Sequence, residues 1–296
     1  MALISRRDAG KLLLAGCAGA LVPAGKLRGA TMINSVIRGV QIGAQSYSFR
    51  DLREPDAIIK AFQTVGLGEC ELSSGVEPAN LKGPDAAKWL REAPLDYFKG
   101  LRQKYNDAGV IVYAYTYGFR KEFTDEEIER GFQIAQAMGV KYITSSANVS
   151  VAPRVDKYAQ KYKIMVGFHG HSGVDNPDEF STAETFARAM KGASPYIGVN
   201  LDIGHFTAAG GDAVAYIREH HAKIVTLHIK DRKKGQHGAN LPLGEGDTPI
   251  VAVLQLLRDK RWKIPANIEY EYGKPGMDTI AEVTKCFEYC KKALES

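Results

Sequence analysis

His169 and His171 stand two residues apart in VGFHGHSG, an apolar, glycine-flanked run over 166–173. In an extended strand, residues i and i+2 face the same side, so both imidazoles point one way. Buried histidines are costly unless their ring nitrogens are bonded. Similar groups recur along the chain. LDIGHF carries Asp202 and His205, LHIKD carries His228, Lys230 and Asp231, IEYEYG carries Glu269 and Glu271, and GECELSS carries Glu69 and Glu71. Four of the seven histidines fall in this set, more than scattered placement would give. Carboxylates and imidazoles gathered in one dry place repel or neutralise one another unless a cation joins them. One His or carboxylate from each of four adjacent strands can hold one divalent ion. A mixed nitrogen and oxygen set suits Mn2+, Co2+, Zn2+ or Fe2+ better than Ca2+ or Mg2+. Each residue alone is a weak signal, since a lone strand histidine is more often a hydrogen-bonded core residue than a ligand.

For these residues to meet, the strands that carry them must end at one face. Strand patterns occupy 40–49, 68–74, 110–118, 140–148, 164–172, 197–206, 223–231 and 265–273. Amphipathic helical patterns lie between and after them at 56–66, 95–109, 124–139, 182–192, 212–221, 250–260 and 278–295. The Thr-Asp-Glu-Glu opening at Thr124 is an N-cap followed by acids, and several of these helices stop at Gly. Alternating strand and helix units predict an α/β fold, a single-domain (β/α)8 TIM barrel. No G-x-G-x-x-G follows an early strand, which argues against an open doubly wound sheet. In such barrels the C-terminal ends of the strands build the active site, and most of the residues above sit at those ends.

The chain has 296 residues, 45% hydrophobic and 25% charged, with nothing that reads as a linker. Residues 1–31 differ in character and read as an export signal, leaving 32–296 as the barrel. Paired arginines precede an apolar stretch from Leu12 to Ala24 that is too short and too rich in small residues for a good membrane span. Ser5-Arg6-Arg7 with Lys11 resembles the twin-arginine signal, with Ala9-Gly10 replacing the usual Phe-Leu. The expected location is therefore the periplasm. Leu14 to Cys17 also resembles a lipobox, so membrane attachment is expected only if Cys17 is lipidated. The leader's five basic residues against one acidic account for +4 of the formal +5. The remaining domain is near neutral, which implies no general nucleic-acid-binding surface. Cys70, Cys286 and Cys290 form no C-x-x-C and read as packing residues.

LDIGHFTAAGGD, LHIKD, LPLGEGD and IEYEYG together resemble the xylose isomerase-like barrel superfamily. That group includes sugar isomerases and epimerases, inosose dehydratases and the endonuclease IV type of DNA repair enzyme. VGFHGHSG resembles its strand-five H-N-H segment, with Gly170 in place of Asn. The resemblance runs over about residues 37–292. It implies one metal ion, held in sugar-acting members by Glu, Asp, His and Glu from strands five to eight. The matching positions here are His169, Asp202, His228 and Glu269. His171, one step further out, is expected to meet substrate, with Glu71 and Tyr115 as further substrate contacts. Many epimerases of this group use the strand-five and strand-eight glutamates as a proton-transferring pair. His169 on strand five does not fit that symmetrical scheme, because a metal-bound imidazole is a poor base. The catalytic candidates are Glu269, His205, Lys230 and Glu271. Competing structural readings exist for several: a Lys230 salt bridge to Glu271 or Asp231, a bracing role for Glu71, and core filling by Tyr113, Tyr115 and Tyr117. Gly244 to Asp247 reads as a tight loop that shapes one wall.

The activity implied is that of a metal-dependent sugar isomerase or epimerase, which removes a proton next to a metal-polarised carbonyl. The alternative is a lyase or hydratase acting on 3-keto-sugars or glycosides; more remote is a sugar-binding module without catalysis. Export favours unphosphorylated substrates. The endonuclease reading is disfavoured, because Gly238 and Asn240 stand where that family places further Asp and His ligands, and strands two and three carry no histidine.

Overall fold

The computed structural model describes residues 31–274 and 276–296. The expected export signal and Cys17 lie outside the described residues, save for Thr31. Eight parallel strands form the interior: β1 (Val40–Gln45), β2 (Glu69–Leu72), β3 (Ile111–Thr116), β4 (Tyr142–Ser145), β5 (Met165–His169), β6 (Ile197–Asp202), β7 (Ile224–Ile229) and β8 (Ala266–Ile268). Each pairs with the next. The ring closes where β1 pairs with both β2 and β8, with Gln45 beside Glu71 and Ile42 beside Ala266. This is the expected (β/α)8 barrel, a single domain.

The helices in chain order are α1 (Pro55–Val65), α2 (Gly83–Glu92), α3 (Leu95–Asp107), α4 (Asp125–Met138) and α5 (Ala152–Tyr162). They continue with α6 (Ala183–Met190), α7 (Ile203–Ala208), α8 (Ala213–His220), α9 (Ile250–Lys260) and α10 (Thr279–Glu295). Local chemistry explains their limits. At the start of α4, Glu127 N–H donates to Thr124 Oγ1 at 3.2 Å, and Thr124 N–H donates to Glu127 Oε2 at 2.9 Å. These two bonds satisfy donors that the first helical turn cannot use. The same helix ends at Gly139, whose left-handed backbone (φ 66°) suits glycine. None of the helices among the described residues is long and apolar enough to cross a membrane. Cys70, Cys286 and Cys290 are buried and unpaired, as packing residues should be.

Three helices depart from the expected pattern. α2 has no fully buried side chain, and α5 is rich in charge, so neither shows a strong apolar stripe. The third, α7, falls within the apolar run 197–206 that reads as one strand. There the chain leaves β6 at Asp202, whose Oδ1 accepts from His205 N–H at 2.7 Å and caps a short helix. The strands are accordingly shorter than the sequence patterns, and His171, His205, Glu269 and Glu271 stand just beyond strand ends.

The barrel interior is unusually polar for this architecture, whose inner layers are ordinarily filled by branched apolar residues. Gly43 makes room for it: a Cβ there would lie 2.2 Å from Asn267 Oδ1 and 2.9 Å from Glu69 O. The Glu69 carboxyl beside it is buried, and its Oε1 has no hydrogen-bond partner. Burial first, and the nearby Glu71 second, push its pKa up to about 8. The folded protein thus holds a proton on Glu69 that the unfolded chain releases near its ordinary value of 4.5. Between those two pH values the folded state binds more protons, so this group makes stability fall as pH rises. Urea unfolding of wild type against Glu69→Gln should show wild type losing stability relative to the variant from about pH 5 to about pH 8, with no such drift below pH ~4.

Candidate active site

The site rests on a buried carboxylate. Glu71, on β2, is fully buried and bonds to side chains of six other strands at once. Its Oε1 takes Gln45 Nε2 of β1 at 3.0 Å, Thr144 Oγ1 of β4 at 2.7 Å and, at 3.3 Å each, Thr116 Oγ1 of β3 and Asn200 Nδ2 of β6. Its Oε2 pairs with His228 Nε2 of β7 at 2.9 Å and accepts from Asn267 Nδ2 on β8 at 3.3 Å. Burial is the largest influence on Glu71 and acts upward. The His228 charge and the bonds from His228, Thr144 and Gln45 together outweigh it, so its pKa is lowered and it stays ionised. Glu71 therefore belongs beneath the mouth as a brace between strands and does not line the cavity, in contrast to the substrate contact expected from sequence.

Above it lie the atoms a metal could use. His169 Nδ1, Asp202 Oδ2, His228 Nδ1 and Glu269 Oε2 are buried; His169 Nδ1 has no partner, while the other three meet only one another and the Lys230 ammonium. All four come from the ends of four consecutive strands, β5 to β8. Buried polar atoms in folded proteins are almost always bonded, so the unpartnered His169 Nδ1 and two carboxylates that share one ammonium together fit a divalent cation. Ligand atoms of His169, Asp202, His205 and Glu269 lie within 4.8 Å of one another, and His228 Nδ1 is 3.3 Å from Glu269 Oε2. These residues can hold a divalent ion. His169 is kept neutral: burial, then the neighbouring His228 and His171, lowers its pKa well below the ordinary value. A neutral imidazole has a lone pair to give.

His205 and His228 differ in what their rings can offer. His228 uses Nε2 toward Glu71 and turns Nδ1 to Glu269 Oε2 at 3.3 Å, a carboxylate–histidine pairing of the kind that supports metal ligands. His205 Nδ1 receives Arg232 Nη1 at 2.6 Å. A guanidinium only donates, and so does the Lys230 ammonium 3.0 Å from His205 Nε2, so two cations compete for the one lone pair of the neutral His205 ring. Burial first and Lys230 second hold His205 neutral, with a pKa down at about 2. Its Nε2 lies 3.9 Å from Asp202 Oδ2. His228 is thus flanked by carboxylates and His205 by cations.

Lys230 is the mouth's own cation. Its Nζ lies 2.6 Å from Glu269 Oε2, 2.6 Å from Glu271 Oε2, 3.1 Å from Asp202 Oδ2 and 3.0 Å from His205 Nε2. Burial acts to lower its pKa, but Asp202, Glu269 and Glu271 more than reverse that and raise it. On Glu269, burial acts upward and is outweighed by Lys230 and then His228, which hold its carboxyl well below the ordinary range. The Lys230–Glu271 bridge allowed for in the sequence exists, whereas Asp231 serves the following loop. Asp231 Oδ2 accepts from Gly244 and Gly246 N–H at 2.8 and 2.9 Å. A Cβ at Gly246 would lie 2.0 Å from Asp231 Oδ1, so the glycine is required and the loop is structural.

The mouth cavity is about 270 Å³ and is lined by His169, His171, His205, Lys230, Glu269 and Glu271, with Gln45, Tyr47, Thr144 and Ser145 among its other walls. The His171 ring stands edge-on to His169, with centroids 4.8 Å apart, and its Nδ1 faces Glu179 at 3.5 Å. Tyr115 is 1% exposed and lines a different cavity between barrel and helices, so it is not brought together with the others. Reading the sequence missed Arg232, because DRKK looks like a solvated basic run. It also missed Asn200 and Asn267, whose only signal is a polar residue in the middle of an apolar strand.

A family model described as xylose isomerase-like TIM barrel matches residues 74–290. Among curated proteins, an inosose dehydratase of Lactiplantibacillus plantarum is 30% identical over 79 residues, which spans 26% of this chain and only 25% of that relative. Among solved structures, an L-ribulose 3-epimerase superposes with a TM-score of 0.66 at 15% identity, covering 86% of this chain and 95% of that one. An IolI protein with a bound zinc atom superposes with a TM-score of 0.62 at 15% identity, covering 86% and 96%. At these identities the superpositions show the shared fold.

Removing one partner of a buried, hydrogen-bonded ion pair leaves an uncompensated charge, at a cost of roughly 3–5 kcal/mol. Glu71→Ala is expected to lose about that much in urea unfolding, since His228, Gln45 and both asparagines lose their acceptor. Glu71→Gln, which keeps the shape and one acceptor oxygen, is expected to lose distinctly less.

Proposed function

The chain belongs to the xylose isomerase-like TIM barrel family, and we propose from that premise that it is a metal-dependent sugar isomerase or epimerase. The observation that carries this reading is the convergence of four buried ligand atoms at the ends of β5 to β8, of which His169 Nδ1 has no partner and the others meet only one another and Lys230. In this proposal His169 Nδ1, His228 Nδ1 and the carboxylates of Asp202 and Glu269 hold one divalent ion of the Mn, Co, Zn or Fe class. Such an ion, when bound, polarises a substrate carbonyl and an adjacent hydroxyl, and so acidifies the C–H between them.

The chain's own residues do the rest. With Glu269 committed to the ion, Glu271 is the carboxylate left to take the proton; it lines the cavity and is less buried than Glu269. Lys230 lies within hydrogen-bond reach of Glu271 and stabilises negative charge that develops on a substrate oxygen. Once substrate or the ion draws the Lys230 ammonium off His205 Nε2, Arg232 on Nδ1 leaves the ring proton on Nε2, where it is donated to a substrate hydroxyl or carbonyl oxygen. His171 and Ser145 meet the remaining hydroxyls at the cavity wall.

A dehydratase or other lyase is the second reading, and one observation favours it. β5 presents His169 rather than a carboxylate, so no second carboxylate faces Glu269 and Glu271 across the mouth. A proton taken at one face is then not returned at the other by a matching base. Loss of a β-oxygen, protonated by His205, completes the reaction instead. The partial match to an inosose dehydratase supports the same reading.

Purified protein is expected to bind about one divalent ion per chain. In titrations with Mn2+ or Zn2+, His169→Ala and His228→Ala should weaken binding by more than about 100-fold. His205→Ala should change it little. Lys230→Met should strengthen it, because no ammonium then competes for Asp202 and Glu269. Equal loss in the His205 and His228 variants would contradict the ligand assignment.

The chemistry is read by NMR in D2O with free sugars and 3-keto-glycosides. Exchange of the proton beside the carbonyl with all oxygens retained means isomerase or epimerase, and exchange with loss of water means dehydratase. Glu271→Gln is expected to slow either by about 10²–10⁴-fold, with metal content unchanged.

A further inference from the structure

A second cavity, of about 220 Å³, opens beside the mouth, and the two share Ser73 and Thr116 as a common wall. Its far side is α2, the extra helix that the loop after β2 adds to the simple barrel pattern. That helix buries no side chain fully, and only Trp89 and Leu90 pack against the core from it. It is nevertheless fixed in place. Arg130 of α4 donates from Nε to Leu90 O at 3.1 Å and from Nη2 to Ala93 O, and Arg91 meets Glu127 at 3.4 Å. Trp89 packs edge-on against Tyr97, with centroids 4.9 Å apart. An ordered helix with a small share in the core, held over a cavity at the face where barrels build their active sites, fits a binding wall.

The lining has a definite chemistry. Tyr115, Tyr117 and Phe123 supply aromatic surface, and the Tyr117 hydroxyl is tied to Glu127 O at 2.9 Å. The guanidinium groups of Arg91 and Arg120 are matched by the carboxylates of Glu77 and Glu127. Aromatic faces pack on the C–H side of a sugar ring, and planar charged groups take up hydroxyls. A phosphate or carboxylate would require a surplus of positive charge, and this lining has none.

We propose that the two cavities form one two-lobed substrate site: the mouth holds the reacting sugar, and the lobe under α2 holds the second unit of a neutral glycoside. The inference rests on the carbohydrate reading of the mouth given above. Each cavity alone falls below the roughly 300–1,000 Å³ usual for ligand sites, and the pair together falls within it. The substrate class follows as an unphosphorylated disaccharide or aryl glycoside rather than a free sugar or sugar phosphate.

The test is calorimetric titration of the full chain, loaded with Mn2+, in wild-type and Ala87→Trp forms. Ala87 is exposed on α2 and lines only the second lobe, so the indole fills that lobe without entering the core. The ligands are glucose, glucose 6-phosphate and neutral α- and β-linked disaccharides of glucose and galactose. At least one disaccharide should bind about tenfold or more tighter than glucose. Ala87→Trp should remove that advantage and leave glucose binding unchanged. Three outcomes overturn the two-lobed site while the metal-centred reading stands: no disaccharide advantage, an advantage that survives Ala87→Trp, or tightest binding by glucose 6-phosphate. Absence of binding by every sugar, on protein shown to contain its metal, overturns both.

Discussion

A carboxylate buried inside a barrel stays charged only if donors reach it from several directions, and the Glu71 carboxylate imposes that demand here. Its partners come from β1, β3, β4, β6, β7 and β8. Only β5 sends it no side chain. Each bond fixes the height of one strand relative to β2, so the same charge that is costly to bury also sets the registers. The irregular pairing of β3 beside Cys70/Glu71 and of β7 beside Val199/Asn200 falls next to two members of this network. A purely apolar interior of the same volume would lack that specification, because apolar contacts are not directional.

The mouth follows from this base. His228 is held from below by Glu71, which turns its other nitrogen upward toward Glu269. Burial acts to lower the His228 pKa, yet Glu71 and Glu269 more than reverse it and raise the pKa well above the ordinary histidine value. The two carboxylates thus demand positive charge at that ring. Lys230 answers the same demand one layer higher, among Asp202, Glu269 and Glu271. Proton, ammonium and divalent ion are alternative answers to one electrostatic problem, and they compete for the same oxygens. This competition links the charge state of the mouth to whatever ion or substrate enters it.

Much of this was legible in the sequence because barrel geometry turns strand order into spatial neighbourhood. Alternation of strand and helix patterns located all eight strands, and the residues at their C-terminal ends came together. The parts that stayed hidden share a physical reason. α2 and α5 lack a strong apolar stripe, and α7 continues an apolar run without changing composition, so periodicity could not separate it from β6. Arg232 sits beside two lysines and gives no hint that its guanidinium turns inward to Ser172 and His205. The role of Glu71 was stated as one of two alternatives, since a carboxylate on a strand looks the same whether substrate or six other side chains surround it. Tyr115 was misplaced for a related reason. The irregularity in pairing between β2 and β3 upsets simple alternation, and its ring packs outside the barrel instead of into the mouth.

The asymmetry of the mouth limits what chemistry it can support. The side lined by β4 and β5 presents hydroxyls and neutral imidazoles, from Thr144, Ser145, His169 and His171; the side lined by β7 and β8 presents Lys230, Glu269 and Glu271. Negative charge and basicity therefore lie to one side of a bound sugar, and neutral donors to the other. Inversion at carbon through two matched bases needs the opposite arrangement. Transfer of a proton along one face, from one carbon to its neighbour, needs only Glu271 and the adjacent ammonium. Expulsion of an oxygen needs a donor that keeps its proton at neutral pH, a state His205 Nε2 reaches when Lys230 leaves it, since Arg232 occupies Nδ1. Both of these outcomes use the same removed proton and differ only in which atom His205 and Lys230 reach, so the pose of the substrate decides between them.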